Sequence, residues 1–143
     1  MGNYCSEDDL LALISATELK ELTAESGEEP DAAVVAQGIA QAESEIDSYL
    51  AVRYQLPLAA PVPDLVKSLA VDLALYHLYS RRSVAPATRR QKYEDALAFL
   101  KLVASGRAVI IGAAGTEEPG AVQDVTEVSS SERVFSRKEL EDW

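Results

Sequence analysis

Residues 64–81 read DLVKSLAVDLALYHLYSR, and this stretch decides the fold class. Its apolar residues recur at spacings of three and four, which is the period of an α-helix. They occupy nearly the whole circumference of such a helix, and Asp72 is the one acidic residue inside the run. A helix that is apolar almost all round lies at the centre of a fold or of an assembly. We therefore predict a central helix over residues 64–81 of an all-α protein.

Two further long helices flank this stretch. The first runs from Asp31 to about Val52, and Gly38 within it would be explained by a close helix crossing. After a break at residues 83–87, the second runs to about Ser105, and Gly106 is a favourable stop. Their predicted buried stripes are Val35, Ile39, Ala42, Ile46, Tyr49 and Leu50 in the first, and Tyr93, Ala96, Leu97, Leu100, Leu102 and Val103 in the second.

Shorter elements complete the predicted body. Ser6 caps a short helix that runs to Ile14, and a second short helical turn opens at Thr17. The prolines in residues 55–63 indicate an extended connector between two of the long helices. Residues 107–111 are β-branched and are predicted to be strand-like. We expect one helical domain of three long and two short helices over residues 1–111.

The composition changes at Gly112. Residues 112–132 are rich in Gly, Ser, Thr and acids, which predicts an extended, flexible arm. The arm ends in large side chains, and Trp143 is the only tryptophan of the chain. The predicted anchors are Arg133, Val134, Phe135, Leu140 and Trp143. Such anchors at the end of an arm suggest that residues 112–143 dock on neighbouring subunits.

Charge is distributed unevenly along the chain. Residues 1–47 hold twelve acids and one base, residues 48–112 nine bases and four acids, and residues 113–143 eight acids and three bases. Complementary patches of this kind steer head-to-tail association, although ordinary solvated faces give the same counts. The net charge of −11 argues against a grip on nucleic acid.

The sequence also bears on location. The single cysteine, Cys5, allows no internal disulfide and fits a reducing compartment. We expect no signal peptide, because residues 1–9 are polar and acidic, and no membrane span, because no apolar run approaches ~18 residues.

Residue patterns that carry chemistry are sparse. The chain has no Gly-rich phosphate loop and no Cys pair for zinc. His77, the sole histidine, is predicted to be a core or interface residue. Glu43 and Asp47 share a helix face, but no nearby His or nucleophile completes a site, so we expect a solvated acidic face or a salt bridge to a neighbour's arginine. We predict no catalytic residue, no metal, no cofactor and no enzymatic activity.

The Asp72 carboxylate is expected to have a positively charged partner within the fold. An unpaired carboxylate inside an apolar helix is costly. Arg53 follows the preceding helix and is the predicted partner in a structural Arg53–Asp72 ion pair.

Four stretches together resemble a phage family, the Mu-like head–tail joining proteins, long grouped as a domain of unknown function. They are residues 46–50 (IDSYL) running into 53–58 (RYQLPL), residues 62–63 followed by 70–74 and 78–82, residues 93–97 with Gly106, and residues 133–137 (RVFSR). Their order and spacing span most of residues 4–143. The resemblance implies a helical head–tail connector, or adaptor, in the neck of the virion, made in the host cytoplasm.

The resemblance also implies partners. It predicts a homo-oligomeric ring, a dodecamer by analogy with twelvefold portals, between the portal protein and a tail-side neck or tail-terminator protein. DNA would pass through its channel without sequence-specific binding. Residues 109–111 or 122–128 are candidates to add a strand to a neighbour's sheet.

Three other functions stay open on the sequence. The first is a tail-terminator or tail-completion protein, which is of the same broad structural class and occupies a neighbouring position in the virion. A small acidic regulator that binds host proteins would have the same charge. An enzyme with an unrecognised carboxylate site at Glu43 and Asp47 is the third.

Overall fold

The computed structural model describes residues 2–113, which form five α-helices and no β-strand. The helices are α1 (Glu7–Leu11), α2 (Ala16–Thr23), α3 (Ala32–Leu50), α4 (Asp64–Arg81) and α5 (Ala87–Ala104). The predicted all-α class is confirmed, with three long and two short helices in the described part. The predicted bounds of the long helices agree with the structure to within a few residues.

Helix α4 is the centre of the bundle. It contacts each of the other four helices, which is why its sequence is apolar nearly all round. Its buried side chains are those of Val66, Leu69, Ala70, Val71, Leu73, Ala74, Leu75, Leu78 and Tyr79. The prediction of a central helix is confirmed.

Helix α3 packs closely on α4. Asp31 caps its start, because the carboxylate accepts hydrogen bonds from the backbone N–H groups of Ala33 and Val34 at 2.9 and 3.3 Å. A Cβ atom on Gly38 would lie 2.8 Å from Leu78 Cδ2. The glycine therefore allows the close helix crossing that its position in the stripe suggested.

Helix α5 covers one side of the α3–α4 pair. Ala96, Leu100 and Val103 are its fully buried residues. Leu102 was predicted to be buried, and that prediction is wrong, since its side chain is exposed. Leu100 and Val103 are three apart and both face the core, so a residue between them points away from it.

The two short helices begin at serine caps. The Ser15 hydroxyl accepts a hydrogen bond from the Glu18 N–H at 3.1 Å, so α2 begins at Ala16 and not at Thr17. The Asp9 carboxylate accepts from both the backbone N–H and the hydroxyl of Ser6, at 2.8 and 3.0 Å. Helix α1 ends at Leu11, earlier than predicted, although Ile14 still reaches the core.

The segment after α5 is not a strand within this chain, and that prediction is wrong. It forms turns that leave Val109 and Ile111 exposed and bury Ile110. The Ile110 N–H donates to the Tyr54 hydroxyl at 3.0 Å. A side-chain partner therefore replaces the ladder of hydrogen bonds that a strand would make.

Candidate functional site

One end of the bundle gathers the C-terminus of α3, the connector before α4 and the segment after α5. The Tyr54–Ile110 hydrogen bond joins connector and segment, and a Cβ atom on Gly112 would lie 3.9 Å from Pro63 Cγ. The Arg53 guanidinium lies against Gly106. We call this surface, residues 52–65 and 106–113, the apolar end.

Large hydrophobic side chains are exposed on the apolar end. Their exposed fractions are 70% for Val52, 45% for Leu65, 62% for Val109 and 89% for Ile111. The connector adds exposed Pro57, Ala59, Ala60 and Pro61. Residues 55–63 contain no charged side chain at all. Exposed hydrophobic side chains that gather at one end of a fold mark a candidate interaction site.

The apolar end itself contains two positively charged residues and one negatively charged residue. Arg53 and Arg107 belong to it, and Lys101 lies on the last turn of α5. Asp64 is its one acidic residue. A surface of this kind favours a partner that is apolar and acidic.

Two tyrosines hold the connector in place. Besides Tyr54, the Tyr4 hydroxyl donates to the Asp47 carboxylate and accepts from the Leu58 N–H at 3.4 Å. Burial, and then the hydrogen bond to Asp47, raise the pKa of Tyr4, so the hydroxyl stays a donor. The apolar end is thus fixed by contacts within the chain while its apolar side chains stay uncovered.

The paired carboxylates of α3 hold the N-terminal segment. Glu43 is only 7% exposed, and its Oε1 accepts from the backbone N–H groups of Tyr4 and Cys5 at 2.6 and 3.4 Å. The prediction of a solvated acidic face is therefore wrong for Glu43, because backbone donors replace the water. Burial raises the pKa of the Cys5 thiol to about 12, so this thiol is protonated and unreactive.

A polar cluster links the three long helices. Glu45 of α3 lies 2.9 Å from His77 Nε2 of α4 through one oxygen, and its other oxygen accepts from the Tyr93 hydroxyl of α5 at 2.7 Å. The Tyr76 and Tyr93 rings stack with centroids 4.0 Å apart. Burial, with the hydrogen bond to Glu45, raises the pKa of Tyr93. Both Glu45 oxygens are engaged, so the cluster cross-links the helices, and His77 is half-buried as part of it.

The opposite end of the bundle is rich in charge, and we call residues 18–31 and 79–90 the charged end. They contain six acidic and five basic residues. The Arg82 guanidinium donates to the carbonyl oxygens of Leu22 and Ala24 at 3.3 and 2.8 Å. The Tyr79 hydroxyl donates to Glu18. These contacts tie the C-terminus of α4 to α2 within one chain.

The predicted Arg53–Asp72 ion pair stays a prediction. Burial raises the pKa of Asp72, and the positive charges that act against this shift are those of Lys92 and Arg89 on α5. Asp72 is eight residues into α4, about 12 Å along the axis from its start, whereas Arg53 belongs to the apolar end.

The arm predictions lie outside the described residues. These are the anchors Arg133, Val134, Phe135, Leu140 and Trp143 and the strand candidate at 122–128. Their docking stays a prediction.

Residues 2–113 also lack two other kinds of site. In that part of the chain, no group of three or more His, Cys, Asp or Glu side chains is placed to hold a metal ion. None of the five helices there combines the length and the apolar character that a bilayer crossing requires.

The amino-acid sequence of this chain is similar to sequences of phage proteins. Residues 4–128 match the family described as Bacteriophage Mu, Gp36. The chain is 33% identical over 139 residues to Gene product J of Escherichia phage Mu, which covers 96% of each protein. It is 36% identical over 107 residues to the Mu-like prophage FluMu protein gp36 of Haemophilus influenzae, over 75% of this chain and 73% of that protein.

Proposed function

The chain belongs to the bacteriophage Mu Gp36 family, and on that premise we propose that it is the head–tail connector of a Mu-like phage. In this role, copies of the chain form a ring in the virion neck, between the portal protein and a tail-side neck or tail-terminator protein. A dodecamer would match the twelvefold symmetry of related portals. The observation that carries the proposal is the match to the phage Mu protein along 96% of both chains.

The apolar end supports an assembly role. A ring forms when each subunit presents two different surfaces and the rotation between copies closes. The exposed Val52, Leu65, Val109 and Ile111 supply one such surface. The predicted docking of residues 112–143 on a neighbouring subunit would supply a second contact.

DNA is proposed to pass through the ring without being gripped. The net charge of −11 disfavours phosphate contacts. We also propose that the protein is not an enzyme. Glu43, one of the two candidate carboxylates, is occupied by backbone donors of the N-terminal segment, and Asp47 by the Tyr4 hydroxyl.

Extract complementation tests the connector role. Loss of this gene from the phage that carries it should give DNA-filled heads and complete tails that do not join. The mutant heads should join wild-type tails only after purified protein is added. The mutant tails should join wild-type heads without added protein. Electron microscopy of the restored particles should place the protein in the neck.

The same experiment separates the alternatives. A tail-terminator or tail-completion protein would leave the mutant heads competent and the mutant tails defective. A regulator that binds host proteins would leave both competent, and the protein would be absent from the particles. Either result would contradict the connector proposal.

A further inference from the structure

We propose that in the isolated subunit the last residues of the chain, with Leu140 and Trp143 as anchors, cover the apolar end of their own helix bundle. The inference concerns the free subunit and does not depend on a role in the virion neck.

The apolar end has the properties of an uncovered contact. Its exposed hydrophobic side chains come from three separate parts of the chain, represented by Val52, Leu65 and Val109. The hydrogen bonds of Tyr54 and Tyr4 fix the backbone beneath them. A surface that is already ordered loses little conformational freedom when it is covered.

The segment 139–143 has complementary chemistry. It reads ELEDW and alternates Leu140 and Trp143 with three acidic residues. The apolar end contains Arg107, Lys101 lies on the last turn of the preceding helix α5, and the single acidic residue of the apolar end is Asp64. An acidic, apolar segment therefore matches both the hydrophobic character and the sign of the charge.

Tethering favours the chain's own segment over a second copy. The described chain ends at Ala113, whose N–H lies 3.4 Å from the Ile110 carbonyl oxygen, within the apolar end itself. The residues from 113 to 140 can span up to about 90 Å when fully extended, so their length permits a return. An attached segment has an effective concentration on the order of millimolar at such a surface. A second copy in dilute solution does not reach that concentration.

Trp143 provides the experiment, because it is the only tryptophan. A covered indole emits at a shorter wavelength and is less quenched by acrylamide than a hydrated one. In the full-length isolated subunit we expect short-wavelength emission that does not change on dilution. Val109→Glu should shift the emission to longer wavelength and increase the quenching, and Ile111→Glu should repeat this result.

Val84→Glu is the matched control. Val84 lies at the charged end and is 65% exposed, against 62% for Val109, so the same substitution should leave the emission unchanged. Circular dichroism should show an unchanged fold for all three variants, since all three residues are exposed.

Three results would overturn the inference. Emission typical of hydrated tryptophan in the wild-type subunit would show that nothing covers Trp143. Short-wavelength emission that disappears on dilution, together with a dimer, would assign the contact to a second copy. Emission that is insensitive to both Val109→Glu and Ile111→Glu would place the segment elsewhere. None of these outcomes depends on whether the protein joins heads to tails.

Discussion

The two ends of the helix bundle differ in how far contacts within the chain satisfy or bury their side chains. At the charged end, Arg82 and Tyr79 bind groups of the same chain, so that the ends of α2 and α4 are satisfied in one subunit. At the apolar end, Tyr54 and Tyr4 fix the backbone, but large hydrophobic side chains stay exposed. Within residues 2–113, contacts of the same chain satisfy the charged end, whereas the apolar end exposes hydrophobic side chains that a covering surface would remove from water.

This difference predicts where the proposed assembly would act on the molecule. Exposed charge remains hydrated, and exposed ion pairs contribute little in either state. Exposed hydrophobic area gains about 25 cal/mol for each Å² removed from water. Binding energy is therefore available mainly at the apolar end.

The largest expected effect comes from a charge placed on the apolar end. We expect Val52→Glu to weaken ring formation at least ~30-fold, since a charge left unpaired in an interface costs about 2–5 kcal/mol. Native mass spectrometry of the protein with and without portal measures the assembled fraction. Val84→Glu, at the charged end, is the control and should assemble normally. Equal loss in both variants would remove the distinction between the two ends.

The next effect tests the hydrogen bonds that Tyr54 and Tyr79 make within the chain. Tyr54→Phe should lower the free energy of unfolding by about 1–3 kcal/mol, because it leaves the buried Ile110 N–H without a partner. Tyr79→Phe should cost only about 0.5–1.5 kcal/mol, since the Glu18 carboxylate is half-exposed and water can replace the lost donor. Chemical denaturation with a common m-value gives both figures. A larger cost for Tyr79→Phe would reverse the comparison.

The sequence predicts the helical body well, because strong periodicity determines it. The apolar circumference of residues 64–81 placed α4 at the centre, and Gly38 marked the close crossing with α3. The prediction that Leu102 is buried was wrong for a local reason. A helix with apolar residues at 100, 102 and 103 does not reveal which of them faces the core until its neighbour is placed.

The contacts of the candidate site were harder to predict, because they join distant residues. Nothing in the sequence pairs the Glu43 carboxylate with the backbone N–H of Tyr4. The apolar end did leave a signal, namely the nine uncharged residues 55–63 and the apolar run 109–111. That signal could not be interpreted without the structure, since buried and exposed apolar residues are alike in a sequence.

A smaller effect concerns pH and the N-terminal segment near the apolar end. The hydrogen bonds from Ser6, the backbone bond first, hold the pKa of Asp9 below its usual value. The stability that Asp9 contributes is therefore present above ~3.9, its unfolded pKa, and is lost as the pH falls through the lower folded value. Asp9→Ala should cost no more than about 1 kcal/mol at neutral pH, because nearby solvent screens the group. In acid titrations of both proteins, this difference should shrink below pH ~4, and a constant difference would contradict the assignment.

The smallest expected effect is at the surface of the charged end. Arg81 and Glu25 lie 4.0 Å apart, and the Glu25 side chain is 82% exposed. Glu25→Ala should change the free energy of unfolding by less than about 0.5 kcal/mol and should leave assembly unchanged. Arg82→Ala is the informative neighbour, because it removes two hydrogen bonds to the end of α2 and should cost about 1 kcal/mol. A loss of ring formation in Glu25→Ala as large as that expected for Val52→Glu would show that the charged end is itself an interface. An exposed ion pair of this geometry contributes too little to the stability of the fold to explain such a loss.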